Sequence, residues 1–119
     1  MFRTAVEDRY VVNRGPGGVL TLVPYSVWLE KFRTMAADKS PAERREARRK
    51  MSLASQVVEP DQQGRIAVAK SSLDEAGIDR KIAMVGMGDY IELWNPEALE
   101  RTAGADDEID ADVLDAFYD

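Results

Sequence analysis

Neither cysteine nor histidine occurs in this chain of 119 residues. The first absence removes disulfides, thiolate nucleophiles and Cys-ligated zinc. The second removes the commonest general base and the commonest transition-metal ligand. Catalysis would have to rest on paired carboxylates, a lysine, or a serine beside a lysine. Lys70-Ser71-Ser72 is such a neighbourhood, but it lacks the wider spacing of Ser-Lys sites. The acidic run from Asp106 to Asp112 lacks the glycine and terminal glutamate of a calcium loop. The expectation is therefore a protein that is no enzyme, with no metal, no cofactor and no small-molecule substrate. No apolar run approaches the roughly 20 residues of a membrane span. The N-terminus shows no basic segment followed by an apolar stretch, so a cytoplasmic protein without membrane contact is expected.

Charge is scarce in one sense only. The formal net charge is -6, yet residues 104–119 hold seven acidic side chains and no lysine or arginine. The remaining residues carry 16 basic and 15 acidic side chains, so the body is close to neutral. Total charge thus argues neither for nor against a nucleic-acid partner.

What is present is a weak internal repeat. Asp8-Arg9-Tyr10-Val11-Val12 aligns with Asp79-Arg80-Lys81-Ile82-Ala83 at an offset of 71. Gly15 then falls on Gly86, Gly17 on Gly88, Leu20 on Ile91 and Leu22 on Leu93. With one residue of slip, Pro24 falls on Pro96. Each unit reads as strand, glycine turn, strand and Pro-led helix.

Tyr10-Val11-Val12 and Val19 to Val23 are β-branched and apolar, separated by the turn signal Asn13-Arg14-Gly15-Pro16-Gly17-Gly18. A helix is expected after Pro24, with Ser26 near its start and Trp28, Leu29, Phe32 and Met35 on one face. Ser40-Pro41-Ala42-Glu43 is a helix start: a capping serine, a proline at the first position and a glutamate completing a capping box. This helix should run to about Leu53. Its Arg44, Arg45, Arg48, Arg49 and Lys50 form a basic cluster. The cluster is either a solvated face, a contact for an acidic surface such as the tail, or a phosphate-binding patch, with Arg44, Arg45 and Arg48 the candidate phosphate contacts.

Ser55 to Glu59 reads as a strand, Pro60 to Gly64 as a turn and Arg65 to Ala69 as the returning strand. Ser72 and Glu75 suggest a second capped helix ended by Gly77. Ile82 to Val85 and Tyr90 to Trp94 form another hairpin, with Gly86, Gly88 and Asp89 in its turn. Asn95-Pro96 starts a helix reaching about Ala103. The acidic tail either stays mobile or docks through the short patch Val113, Leu114, Phe117 and Tyr118. The expected core or subunit-contact residues are Trp28, Phe32, Leu22, Val57, Ile66, Ile82, Leu93 and Trp94.

Asp61-Gln62-Gln63-Gly64-Arg65, the apolar strand after it, the short helix ending in Ala76-Gly77-Ile78 and the closing Ile91-Glu92-Leu93-Trp94-Asn95-Pro96 together resemble the MraZ family over roughly residues 2–100. The helix start at Ser40 to Arg45 also resembles that family's inter-repeat helix. D-x-x-G-R alone is a weak motif; with E-L-W-x-P, the linking helix and the repeat it is fairly specific. The resemblance implies an α+β fold of two SpoVT-AbrB-like swapped-hairpin halves with short flanking helices. Its divisions would be a truncated first half at 1–26, linking helices at 27–54, a second half at 55–98, and a terminal helix with the acidic tail at 99–119.

The resemblance also implies function. A member would be a transcriptional repressor that binds double-stranded DNA at direct repeats upstream of the division and cell wall gene cluster. It would form a ring-like homo-oligomer on the nucleoid. The implied DNA-binding residues are Asp61, Gln62, Gln63, Gly64 and Arg65. An arginine at the base of a turn can offer its fork to guanine or phosphate. Asp61 suits the role of holding the turn and orienting Arg65, because a carboxylate repels phosphate. Taken without the resemblance, the same five residues read as a stable turn with a structural Asp–Arg pair.

Three departures stand out. The family's first D-x-x-x-R motif is missing, and Met1-Phe2-Arg3 lines up just after it. Either the start lies upstream of Met1 or one reading loop has been lost, and the uncovered sheet edges that such a loss would leave favour the first. Ala69 stands where the family usually has proline. Gln62 and Gln63 are neutral where a basic residue is common. An alternative function follows from these departures: an interaction module that reads DNA poorly and co-assembles with a complete homologue.

Overall fold

A computed structural model of the chain describes residues 9–103 and 109–118. The alignment points at Met1 to Asp8 and the acidic residues Asp106, Asp107, Glu108 and Asp119 lie outside the described residues. The architecture is mixed α and β. Strands β1 (Tyr10–Arg14), β2 (Leu20–Pro24), β3 (Ser55–Val58), β4 (Ala83–Gly86) and β5 (Ile91–Trp94) form one antiparallel sheet in the order β3-β1-β2-β5-β4. Helices are α1 (Tyr25–Thr34), α2 (Pro41–Leu53), α3 (Lys70–Glu75), α4 (Pro96–Ala103) and α5 (Ala111–Tyr118).

Sequence character sorts the strands. The unbroken apolar runs Tyr10-Val11-Val12 and Leu20 to Val23 occupy the sheet's interior, where both faces are covered. On one face Tyr10, Val12, Leu20, Leu22, Val58, Ile78 and Leu93 form the main cluster, with Ile66, Val68, Leu73, Ala76 and Ile91 packed against it. On the other face Val11, Thr21 and Val23 lie beneath α1. Burial of such side chains stabilises by roughly 1.5–3 kcal/mol each.

β2 and β5 join the two hairpins. Leu20 faces Leu93 and Leu22 faces Ile91, with Thr21 opposite Glu92 at the centre. Under the 71-residue offset Leu93 is the counterpart of Leu22, and Ile91 of Leu20. The pairing is thus the reciprocal one that a local two-fold axis produces.

Local signals set the helix ends. Ser40 and Glu43 form the full capping box at α2. Asn95 Oδ1 accepts the Glu97 and Ala98 N–H groups, and its Nδ2 donates to the Gly77 carbonyl at 2.7 Å, tying α4 to the end of α3. That end is a Schellman motif: Gly77 N–H bonds Asp74 O, Ile78 N–H bonds Leu73 O, and Gly77 has φ +72. The motif turns Ile78 inward onto Leu73, which explains its burial.

Three expectations need correction. Residues 65–69 join no ladder, although the turn before them forms. Ile66 and Val68 turn onto the core instead, so the segment covers a sheet face rather than extending an edge. Ser72 does not cap α3, which starts two residues earlier behind Ala69 and has no side-chain cap. Of the residues expected in the core or at a subunit contact, Val57 and Ile82 are exposed and so lie outside the chain's own core, and Trp28, Phe32 and Trp94 are half-buried. The buried positions are their neighbours in alternation, such as Val58 next to Val57.

Candidate nucleic-acid interface

Pro60 has no N–H and interrupts any ladder beyond β3, so the chain turns at Asp61. The turn is closed by two backbone bonds, Gly64 N–H to Asp61 O at 2.9 Å and Asp61 N–H to Arg65 O at 2.8 Å. Gly64 takes φ +80, a conformation that L side chains rarely adopt. The Asp61 carboxylate organises the loop. Its Oδ1 accepts the Gln63 N–H at 2.9 Å and the Arg65 N–H at 2.8 Å. Its Oδ2 accepts Arg65 Nε at 3.0 Å.

The electrostatics follow from those bonds. The Arg65 backbone N–H is the main cause that holds the Asp61 carboxyl below its ordinary range; desolvation opposes it, and the Gln63 N–H and the Arg65 side chain add to the lowering. Asp61 is therefore a carboxylate at neutral pH. It pins Arg65 through Nε alone. The two terminal nitrogens have no hydrogen-bond partner among the described residues, and the side chain is 73% exposed. The result is an oriented, outward-facing pair of donors on a tight loop. Gln62 and Gln63 are exposed beside it. All five residues singled out in the sequence thus meet in one turn.

The three candidate phosphate contacts on α2 do not meet in one place. Arg44 donates to the carbonyls of Ala36 and Ala37 at 3.4 Å and of Lys39 at 3.1 Å. Arg48 donates to Arg33 O at 2.9 Å, and its guanidinium lies 5.8 Å from the Phe32 ring centroid. These two arginines clamp α2 to the end of α1. Arg48 Nε is buried without a partner among the described residues. Arg45 and Arg49 lie on a different side of the helix, exposed, with no hydrogen bond or ion pair among the described residues. Sequence spacing grouped Arg44 with Arg48 and Arg45 with Arg49. Which pair is engaged depends on where the carbonyls of α1 and of the segment after it lie, and spacing does not carry that.

Arg14 had no place among the sequence candidates. Its Nε donates to Gly18 O at 3.2 Å and its Nη2 to Glu75 O at 2.7 Å, linking the β1–β2 turn to α3. Its place next to a glycine turn was the available signal. Among the described residues no group of three or more acidic side chains is placed to hold a metal ion.

Comparison with known proteins gives one consistent family. Residues 51–112 match the family described as MraZ protein, antitoxin-like. The chain is 35% identical over 99 residues to the transcriptional regulator MraZ of Thermomicrobium roseum, covering 81% of this chain and 68% of that protein. It is 32% identical over 100 residues to the transcriptional regulator MraZ of Bordetella pertussis, covering 84% and 69%. It is 29% identical over 121 residues to that of Corynebacterium efficiens, covering 98% and 85%.

Proposed function

Since the chain belongs to the MraZ family, we propose that it is a sequence-specific DNA-binding transcriptional regulator, a repressor that acts on direct repeats upstream of the division and cell wall gene cluster. It works in the cytoplasm, on the nucleoid. The observation that carries this reading is Arg65, held by Asp61 through Nε with both terminal nitrogens directed to solvent. A paired donor edge of that kind matches guanine O6 and N7 in the major groove, and a narrow β-turn can enter that groove. Gln62 and Gln63 supply further hydrogen-bonding groups without charge. Gly64 and Asp61 hold the loop's shape.

Backbone contacts would come from α2. Arg45 and Arg49 have free guanidinium groups for phosphate, whereas the Arg44 and Arg48 donors are already bound to carbonyls. In this reading the latter two act by positioning α2.

One loop with two neutral glutamines gives modest affinity, so repetition of the loop matters. Among the described residues both sheet edges, β3 and β4, are unpaired. Apolar residues lie exposed at or beside each of them: Leu53 and Val57 at one, Ile82 and Met84 at the other. Edges of this kind invite pairing between copies. A head-to-tail contact between two different edges closes into a ring when its rotation allows. The two hairpin units, residues 1–26 and 55–98 with linking helices at 27–54 between them and a terminal helix and acidic tail at 99–119, are the repeated parts of that assembly.

The test is a fluorescence-anisotropy titration against duplex DNA from upstream of this protein's own gene. A scrambled duplex is run beside it at two salt concentrations. Tighter binding to the native duplex, weakening with salt, is the expected outcome. Equal binding to both duplexes would overturn the reading.

A further inference from the structure

Two apolar surfaces of the described residues lie uncovered, and they are complementary in shape class and charge. The first is a cleft of about 340 Å³ between α1 and the sheet. Thr21 and Val23 form its floor. Trp28 and Phe32, stacked at 4.7 Å between ring centroids, form one wall, and Met35 and Met51 another. The second is α5. Val113, Leu114, Phe117 and Tyr118 fall on one side of this helix, and Phe117 and Tyr118 are 79% and 78% exposed. An eight-residue helix with this much bare apolar surface has little stability of its own and gains it by packing.

We propose that α5 docks into the α1–sheet cleft of its own chain, as an acidic amphipathic helix against an aromatic, methionine-lined groove with Lys31 at its rim. Methionine walls adapt to an incoming ring, and stacked aromatics offer edges and faces to Phe117 and Tyr118. Charge favours this occupant. Lys31 lines the cleft. Lys31 already meets Asp89 at 3.5 Å, but both groups are more than half exposed, so the rim remains open to further carboxylates. α5 brings Asp112 and Asp115, with Asp110 immediately before it. Acidic groups are attracted to a lysine at the rim at long range, and the attraction weakens with salt.

Reach is sufficient. Leu20 faces Leu93, so β5 leaves the sheet beside the Gly15–Gly18 turn, and Gly15 and Pro16 of that turn line the cleft. The eight residues of α4 extend about 12 Å at 1.5 Å per residue. Residues 104–110 span up to about 23 Å when extended. That exceeds the length of α4, and the remainder has to carry the chain round the end of the sheet, because Asn95 ties the start of α4 to α3 on the face opposite the cleft. A tether this short gives an effective concentration in the millimolar range. Weak intrinsic affinity is then enough. The proposal stands apart from the DNA reading, and its test contains no DNA.

The absence of cysteine makes the experiment simple. Ala116→Cys in the full chain places a single thiol on the polar side of α5, where a nitroxide label can be attached. Methionine methyl signals are then read by NMR. Met35 and Met51 line the cleft, while Met84, opposite Leu93 in the ladder and exposed on the other face of the sheet, serves as the internal control. Docking predicts several-fold loss of the Met35 and Met51 signals relative to Met84. The loss should shrink in high salt and disappear when Phe117→Ala and Tyr118→Ala are added. These two side chains are exposed, so removing them leaves the body intact. Equal attenuation at Met35, Met51 and Met84, or none, overturns the proposal. So does attenuation that appears only when spin-labelled protein is mixed with isotope-labelled protein, because the contact would then lie between copies.

Discussion

Two arginines sit beside two glycine turns and do different work. Arg14, next to Gly15–Gly18, gives its donors to two carbonyls, Gly18 O and Glu75 O, and so fixes the β1–β2 turn to α3. Arg65, next to Gly64, is held by one carboxylate through Nε and presents its other nitrogens to solvent. Acceptors decide the role. Two carbonyls, with the Glu75 carboxylate 3.7 Å from Nη1, consume Arg14 as a staple, whereas a single carboxylate at Nε leaves the terminal nitrogens of Arg65 exposed. The glycines differ in parallel. At Gly15 a Cβ would stand 2.9 Å from Thr21 Cγ2, so space demands glycine. At Gly64 nothing lies within 4 Å of a Cβ, and the demand is the positive φ.

The contrast yields graded predictions. Gly15→Ala should act most strongly. Thr21 cannot swing away easily, since its hydroxyl donates to Asn13 Oδ1 at 2.6 Å and the residue is 3% exposed. Overpacking of this kind costs roughly 1–3 kcal/mol, read as a lower midpoint in urea unfolding. Arg14→Ala comes next. Loss of hydrogen bonds from a half-exposed arginine to two carbonyls should lower stability by about 1 kcal/mol, seen as a thermal midpoint several degrees lower. Neither change should alter preference between native and scrambled duplexes. If either does, the division of labour between the two turns is wrong.

Gly64→Ala should cost roughly 1–2 kcal/mol in stability, from the left-handed backbone alone. What sets it apart from Gly15→Ala and Arg14→Ala is a displaced Arg65, so the selectivity ratio should fall together with the melt. The smallest effect concerns pH. The Asp61 carboxyl titrates lower in the folded chain than its ordinary value near 3.8. Its contribution is therefore present above that value and is lost as pH falls through the lowered folded value. Melts of the wild type and Asp61→Asn should differ by a constant amount from pH 7 to about pH 5, and converge in acid. A difference that grows between pH 7 and pH 5 would point to another group.

Legibility in the sequence followed the range of the interaction. The Ser40–Glu43 capping box, the Asn95-Pro96 start and the two hairpins were all readable, because each depends on neighbours within a few residues. The Asp61–Arg65 turn was readable for the same reason. Residues 65–69 were not, since Ile66 and Val68 alternate as a strand does whether they pair in a ladder or pack on a face. The buried Ile78 escaped notice because its burial comes from the Schellman turn that follows α3. On α2, helical spacing could not tell Arg44 and Arg48 from Arg45 and Arg49. The distinguishing acceptors, Ala36 O, Lys39 O and Arg33 O, belong to a different segment.

The most direct test compares Arg65→Ala with Arg14→Ala in one experiment, titrating both and the wild type against the native and scrambled duplexes while recording their melts. The account predicts that Arg65→Ala loses selective binding by 10-fold or more, on the order of 1–3 kcal/mol for a paired guanine contact, with an unchanged melt. Arg14→Ala should show the reverse: a lower melt and intact selectivity. Retained selectivity in Arg65→Ala would contradict the assignment of the Asp61–Arg65 turn as the reading element.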